Sequence, residues 1–181
     1  MIETEPQPTP LLWTPEGFRD DAWRRVGEAG ALAGAGRFIM PLPLFLELDE
    51  ATRAALRGRL GVELQPGEPL EAIAGHLGEL ALVALAFPAF NDGRSFSKAE
   101  LLRGRHGFTG ALRATGQVLM DQLPHMLRVG FDQFEITHPV LIARLERGDA
   151  GGIPLYYQAA AKPTGRPGKG AAYSWRRAPG G

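Results

Sequence analysis

From Leu80 to Phe87 the chain carries no polar side chain, and the run breaks off into the loop Pro88-Ala89-Phe90-Asn91-Asp92-Gly93-Arg94-Ser95. An apolar run of this length between turn signals predicts a strand buried on both faces. Its alanines and leucines leave a helix open; Val83, Phe87 and the following Pro88 favour the strand. Burial on both faces requires helices above and below, and hence a parallel sheet. Downstream, Ser97 and Glu100 have the spacing of a capping box, with Phe96 and Leu101 as a hydrophobic staple. A helix is therefore expected from Lys98, closing at Gly107. A short strand at Ala111–Ala114, a helix from Gln117 to Val129 and a strand from Phe131 to Ile136 continue the alternation. Pro124 interrupts that helix pattern. Either the helix kinks, or it ends by Leu123 and restarts with Pro124 as its first residue.

Upstream the same grammar recurs. Phe38-Ile39-Met40 predicts a short strand, Asp49 can cap a helix carrying Leu56 and Leu60, Val62-Glu63-Leu64 is a second strand, and Pro69 to Leu77 a short helix. With a last helix from Pro139, five strand–helix units lie between Arg37 and Gly148. The fold class expected is α/β: repeated strand–helix units forming a mainly parallel sheet or partial (β/α) barrel, in a single domain with flexible termini. Residues 1–10, with three prolines, are expected to be a disordered N-terminus. Residues 11–36 make an arm and connector, in which Thr14-Pro15-Glu16 has the signature of a short helical turn and Trp13, Phe18 and Trp23 pack over the core. Residues 37–161 form the α/β domain, with Ile153 to Tyr157 as a last docked segment. Residues 162–181 form a basic disordered tail.

The stretches F-P-A-F-N-D-G-R-S-F-S, R-H-G-F-T-G-A-L-R-A-T-G, D-Q-L and R-V-G-F-D-Q-F resemble a bacterial family of uncharacterised proteins encoded beside sulfite reductase and described as oxidoreductases of sulfite reduction. The resemblance covers Arg37 to Glu135. It implies a place in assimilatory sulfite reduction, with sulfite reductase as partner and sulfite as the small anion handled.

Composition narrows the chemistry. The chain has 181 residues, 44% hydrophobic and 22% charged, enough for one core. Twenty basic and twenty acidic residues cancel. The five charges beyond Ala161 are all basic, so fifteen basic face twenty acidic residues up to that point, a balance of −5. A nucleic-acid-binding body is not expected. With no cysteine, the chain has no thiolate nucleophile, disulfide or cysteine-ligated iron–sulfur cluster. The acidic, proline-rich start is not a signal peptide, and no apolar run approaches a membrane span, so a cytoplasmic protein is expected.

Chemistry in a parallel sheet gathers beyond the carboxyl ends of the strands. The candidate catalytic residues are therefore Asp92 and Arg94, on the loop after the central strand. Arg94 can hold an anion such as sulfite beside a helix N-terminus, with Asp92 as base or orienting group. Ser97, Arg113, Asp121 and Gln122 are candidate substrate-binding neighbours. The bland alternatives are a common Asp-Gly turn, a helix cap at Ser97 and a surface ion pair between Asp92 and Arg94. The four histidines lack metal-site spacing, so no metal is expected. No nucleotide or Gly-x-Ser-x-Gly motif occurs, and no cofactor is evident in this chain. Three functions remain open: an accessory or oxidoreductase-associated protein of sulfite reduction, a stand-alone enzyme on a small anion using the Asp92/Arg94 loop, and a non-catalytic scaffolding subunit whose basic tail docks on an acidic partner.

Overall fold

A computed structural model describes residues 9–89 and 92–151. It is one α/β domain built on an eight-stranded sheet. The strands are β1 (Leu11–Thr14), β2 (Gly17–Arg19), β3 (Trp23–Arg25), β4 (Arg37–Pro41), β5 (Leu60–Leu64), β6 (Leu80–Phe87), β7 (Ala111–Gly116) and β8 (Gln133–Ile136). Their order across the sheet is β2-β1-β8-β7-β6-β5-β4-β3. From β3 to β8 every pairing is parallel; β1 runs antiparallel to β8, and β2 to β1. Among the described residues, five helices fill the crossovers, α1 (Leu42–Glu47), α2 (Glu50–Ala55), α3 (Glu71–Ala74), α4 (Arg94–Glu100) and α5 (Leu123–Val129), and a sixth, α6 (Pro139–Glu146), follows β8. The five expected strand–helix units are all present, and the central strand has the bounds its apolar run predicts.

The sheet curls into a half-barrel, and chain length shows why. Eight strands laid flat at about 4.8 Å spacing would hold the two outer strands about 34 Å apart. Yet β2 ends at Arg19 and β3 begins at Trp23, a separation that extended chain spans to at most about 14 Å. The two edges must therefore approach each other. Curling gives the sheet a convex face under the helices and a concave interior. The convex side holds the main core, including Phe38, Met40, Val62, Val83, Leu85, Phe87, Leu112 and Phe134. The opposite face of the same strands carries a small apolar group of Ile39, Leu82 and Ala84, with Trp23 and Ala111 against it. Gly61 sits within that group: a Cβ there would come within 3.1–3.2 Å of Leu82, Ile39 and Trp23.

Three local expectations are corrected. Leu11 to Val26 is not an arm laid over the core; it supplies three strands of the sheet, and Thr14-Pro15-Glu16 opens a hairpin turn, not a helix. In that turn the Thr14 hydroxyl donates to the Gly17 carbonyl at 3.0 Å. The capping box does not form either. Helix α4 starts at Arg94 with Gly93 at the cap position, so Ser97 lies inside it, exposed. Buried Ser95 instead donates to the Ala86 carbonyl at 2.7 Å, pinning α4 to the end of β6. Beyond Glu100 the helix widens into a π-helical turn, Leu101–Arg105. Finally, α5 is shorter than Gln117 to Val129. Residues 117–122 are not helical, so neither a kink nor a restart occurs: the helix begins at Leu123 with Pro124 in its first turn, where a missing N–H costs nothing. Residues 1–8, Phe90 and Asn91, the segment Ile153 to Tyr157 and the basic tail lie outside the described residues.

Candidate functional site

The strands whose convex face is apolar alternate with polar residues on the concave face: Glu63 on β5, Arg113 and Thr115 on β7, Gln133 and Glu135 on β8. Register brings them level. Glu63 pairs with Ala84, Ala84 with Arg113, and Arg113 with Gln133. Because β6 contributes only alanine here, at Ala84 and Ala86, long side chains from both neighbours can meet across it.

Arg113 is wholly buried. Its Nε and Nη2 donate to the Gln133 side-chain oxygen (3.0 and 2.9 Å). Nη1 and Nη2 donate to the two Asp21 carboxylate oxygens (2.7 and 2.9 Å), and Nη1 also to Glu135 (3.2 Å). Asp21 belongs to the short link between the two sheet edges. Arg25, on β3, reaches across the interior. Its Nη1 donates to Glu63 (2.7 Å) and its Nη2 to both Glu135 oxygens (2.9 and 3.0 Å). The Thr115 hydroxyl donates to Glu63 at 2.7 Å. Burial raises the Asp21 pKa, but the Arg113 hydrogen bond, the Trp23 amide and the charges of Arg113 and Arg25 outweigh it, holding the carboxyl below its ordinary 3.8. Burial likewise works against the Arg25 cation, and Glu63 and Glu135 more than compensate, raising its pKa. Two guanidiniums face three carboxylates, so the cluster retains one negative charge.

The cluster opens toward the carboxyl ends of the strands. There an open cleft of about 500 Å³ is bounded by Thr9 and Pro10 before β1, Phe87 and Pro88 at the end of β6, Gly116 and Gln117 at the end of β7, and Glu135 and Thr137 at β8. Gly116 lets the two strand ends touch. It has φ +84°, and a Cβ there would fall 2.5 Å from the Phe87 carbonyl oxygen, which accepts from the Gln117 amide at 2.7 Å. Glu135 thus joins the interior network to the cleft, and the two arginines behind it fix its carboxylate in place.

The residues singled out from sequence are dispersed. Asp92 and Arg94 meet, Arg94 donating from Nε (3.0 Å) and Nη2 (2.7 Å) to the two Asp92 oxygens. Asp92 also accepts the Arg94 backbone N–H at 3.2 Å, so a carboxylate already faces the start of α4. The Arg94 side chain is 64% exposed. The Arg94 hydrogen bond lowers the Asp92 pKa, and Asp92 raises that of Arg94. Arg113 lies in the interior and makes no contact with this loop. Gln122 stands at the N-cap position of α5 without a side-chain capping hydrogen bond, and Asp121 lines a different, mostly apolar cleft with Met120, His138, Val140 and Arg144. Sequence reasoning missed the partners of Arg113. It also missed Lys98, whose buried ammonium donates to the Gln65 and Pro66 carbonyls (2.6 and 3.1 Å) and ties α4 to the loop after β5. Burial lowers the Lys98 pKa. The available signal was the polar residues Glu63, Arg113, Thr115, Gln133 and Glu135, alternating with apolar neighbours in strands whose other face is apolar.

Among the described residues no group of three His, Cys, Asp or Glu is arranged to hold a metal ion, and no helix is long and apolar enough to cross a membrane.

A family model for bacterial proteins of unknown function, DUF934, matches residues 61–166. The chain belongs to this family. The DUF934 match includes Glu63, Arg113, Thr115, Gln133 and Glu135, and begins after Asp21 and Arg25. No curated protein matches the chain.

Proposed function

We propose that this protein serves assimilatory sulfite reduction in the cytoplasm as an accessory to sulfite reductase, not as a self-sufficient redox enzyme. The place in sulfite reduction rests on the resemblance carried by the F-P-A-F-N-D-G-R-S-F-S and R-V-G-F-D-Q-F stretches. The accessory role is supported by one observation: Asp92 and Arg94, the pair best placed to act on a small anion, are engaged with each other at the surface. Arg94 is then a rim cation for contact with the reductase or for transient capture of sulfite, with Ser97 one turn along the same helix. Without cysteine, the chain cannot itself hold a cysteine-ligated cluster.

A second reading, an enzyme in its own right, is favoured by the charged interior of the half-barrel. That interior opens toward the strand ends where such sheets place their chemistry, and Glu135 there faces a cleft.

The deciding experiment is growth of a strain lacking this gene on sulfate, sulfite and sulfide, complemented by wild type, Arg94→Ala and Glu135→Gln. Failure on sulfite relieved by sulfide is the expected result. Rescue by Glu135→Gln and not by Arg94→Ala supports the accessory reading; the reverse supports the enzyme. Normal growth of the deletion strain on sulfite overturns both placements in sulfite reduction.

A further inference from the structure

Among the described residues, Glu135 is the sole charged one on the cleft at the carboxyl ends of β6, β7 and β8. The remaining boundary is uncharged: hydroxyls of Thr9 and Thr137, the Gln117 amide, prolines, and the backbone where Gly116 meets Phe87. The nearest cations stand behind Glu135 and are committed there. All five N–H donors of Arg113 are used on Asp21, Gln133 and Glu135. Arg25 bridges Glu63 and Glu135. An anion entering the cleft would meet a carboxylate and a network that is one charge negative. Among the described residues lining the cleft it would find no guanidinium.

Glu135 itself is not saturated. Its Oε1 accepts from Arg25 and from Arg113, while its Oε2 accepts a single bond, from Arg25. A carboxylate oxygen takes two such bonds, so Oε2 keeps room for one more donor. We propose that the cleft is a binding site for a small organic cation, an ammonium or guanidinium group on a short apolar stem, seated on the Glu135 carboxylate. The Thr137 and Thr9 hydroxyls and the Gln117 side-chain oxygen supply further acceptors for its N–H groups, and Pro10 and Pro88 flank the stem. A volume of about 500 Å³ suits a ligand of a few to a dozen heavy atoms. The proposal does not depend on the sulfite reading, because growth on sulfite and cation binding are read independently.

The test is a chemical-shift titration of the full-length protein with n-butylammonium chloride, methylguanidinium chloride, sodium butyrate and sodium sulfite at matched ionic strength. The two cations are expected to shift Gly116, Gln117 and Thr137 saturably, and the two anions to leave them in place. Glu135→Gln should weaken the cations by roughly tenfold. Gln117→Lys changes an exposed side chain outside the buried network, so it should fold normally and weaken them as well. A Gly-Lys-Gly peptide binding more tightly than butylammonium assigns the cation to a polypeptide side chain; weaker binding assigns a free amine. Saturable binding of sulfite at these residues, or unchanged cation binding in both variants, overturns the proposal.

Discussion

Two aspartate–arginine pairs in this protein have nearly the same geometry and opposite settings. In each, two guanidinium nitrogens meet two carboxylate oxygens at 2.7–3.0 Å. Asp92 and Arg94 are two residues apart, on the surface, with the arginine mostly in water. Asp21 and Arg113 are 92 positions apart, and this arginine is completely enclosed. The first pair forms wherever its loop goes, so it constrains little. The second can form only when the link between the sheet edges meets the middle of β7, and it therefore specifies the closed shape of the half-barrel. Bond length alone does not distinguish a turn ornament from a tertiary lock; separation along the chain and burial do.

The largest test of this contrast is Arg113→Met. It leaves Gln133 without its guanidinium donor, Asp21 with the Trp23 amide alone and Glu135 facing Arg25 alone, and should cost about 3–5 kcal/mol by urea denaturation. A loss below about 1 kcal/mol would make the interior pair no more consequential than a surface one. Acid should have the next effect. The folded pKa of Asp21 is depressed, so its contribution is complete above the ordinary value of 3.8 and declines as pH falls through the lower folded value. Urea midpoints between pH 7 and pH 2.5 should show this loss, smaller than that of Arg113→Met and reduced, though not abolished, in Asp21→Asn, because Asp92 is depressed too. The smallest effect is Arg94→Ala, which should leave the midpoint unchanged at any salt concentration. A marked drop there would show that the loop after β6 is structurally coupled and not a simple surface feature.

The sequence disclosed the repeating units more readily than their closure. Leu80–Phe87 was legible because its apolar run is bounded on both sides and Val83, Phe87 and Pro88 favour a strand over a helix. Pro124 flagged the right place without the right outcome, since residues 117–122 are not helical at all. The three N-terminal strands were invisible for a physical reason. Strands of three or four residues, such as Trp23-Arg24-Arg25, are too short for period two to stand out against charge. Thr-Pro-Glu also serves equally well to open a hairpin or a helix. At Ser97 the capping spacing was present, but Gly93 and the Ser95 anchor on Ala86 started the helix earlier. Arg113 was named for the wrong company. Its partners come from β8 and the edge link, and no local pattern reports contacts that exist only after the sheet has curled.

The link between β2 and β3 also fixes the order of events during synthesis. Leu11, made 125 positions before Ile136, pairs with it on β8. At about 5–20 residues per second, the N-terminal hairpin waits on the order of ten seconds for the strand it must lie against. During that interval its Trp13 and Phe18 are unsheltered. A nascent chain stalled before β8 emerges would expose them, and with them the unpaired edge of β7, to whatever chaperone or neighbouring chain is at hand.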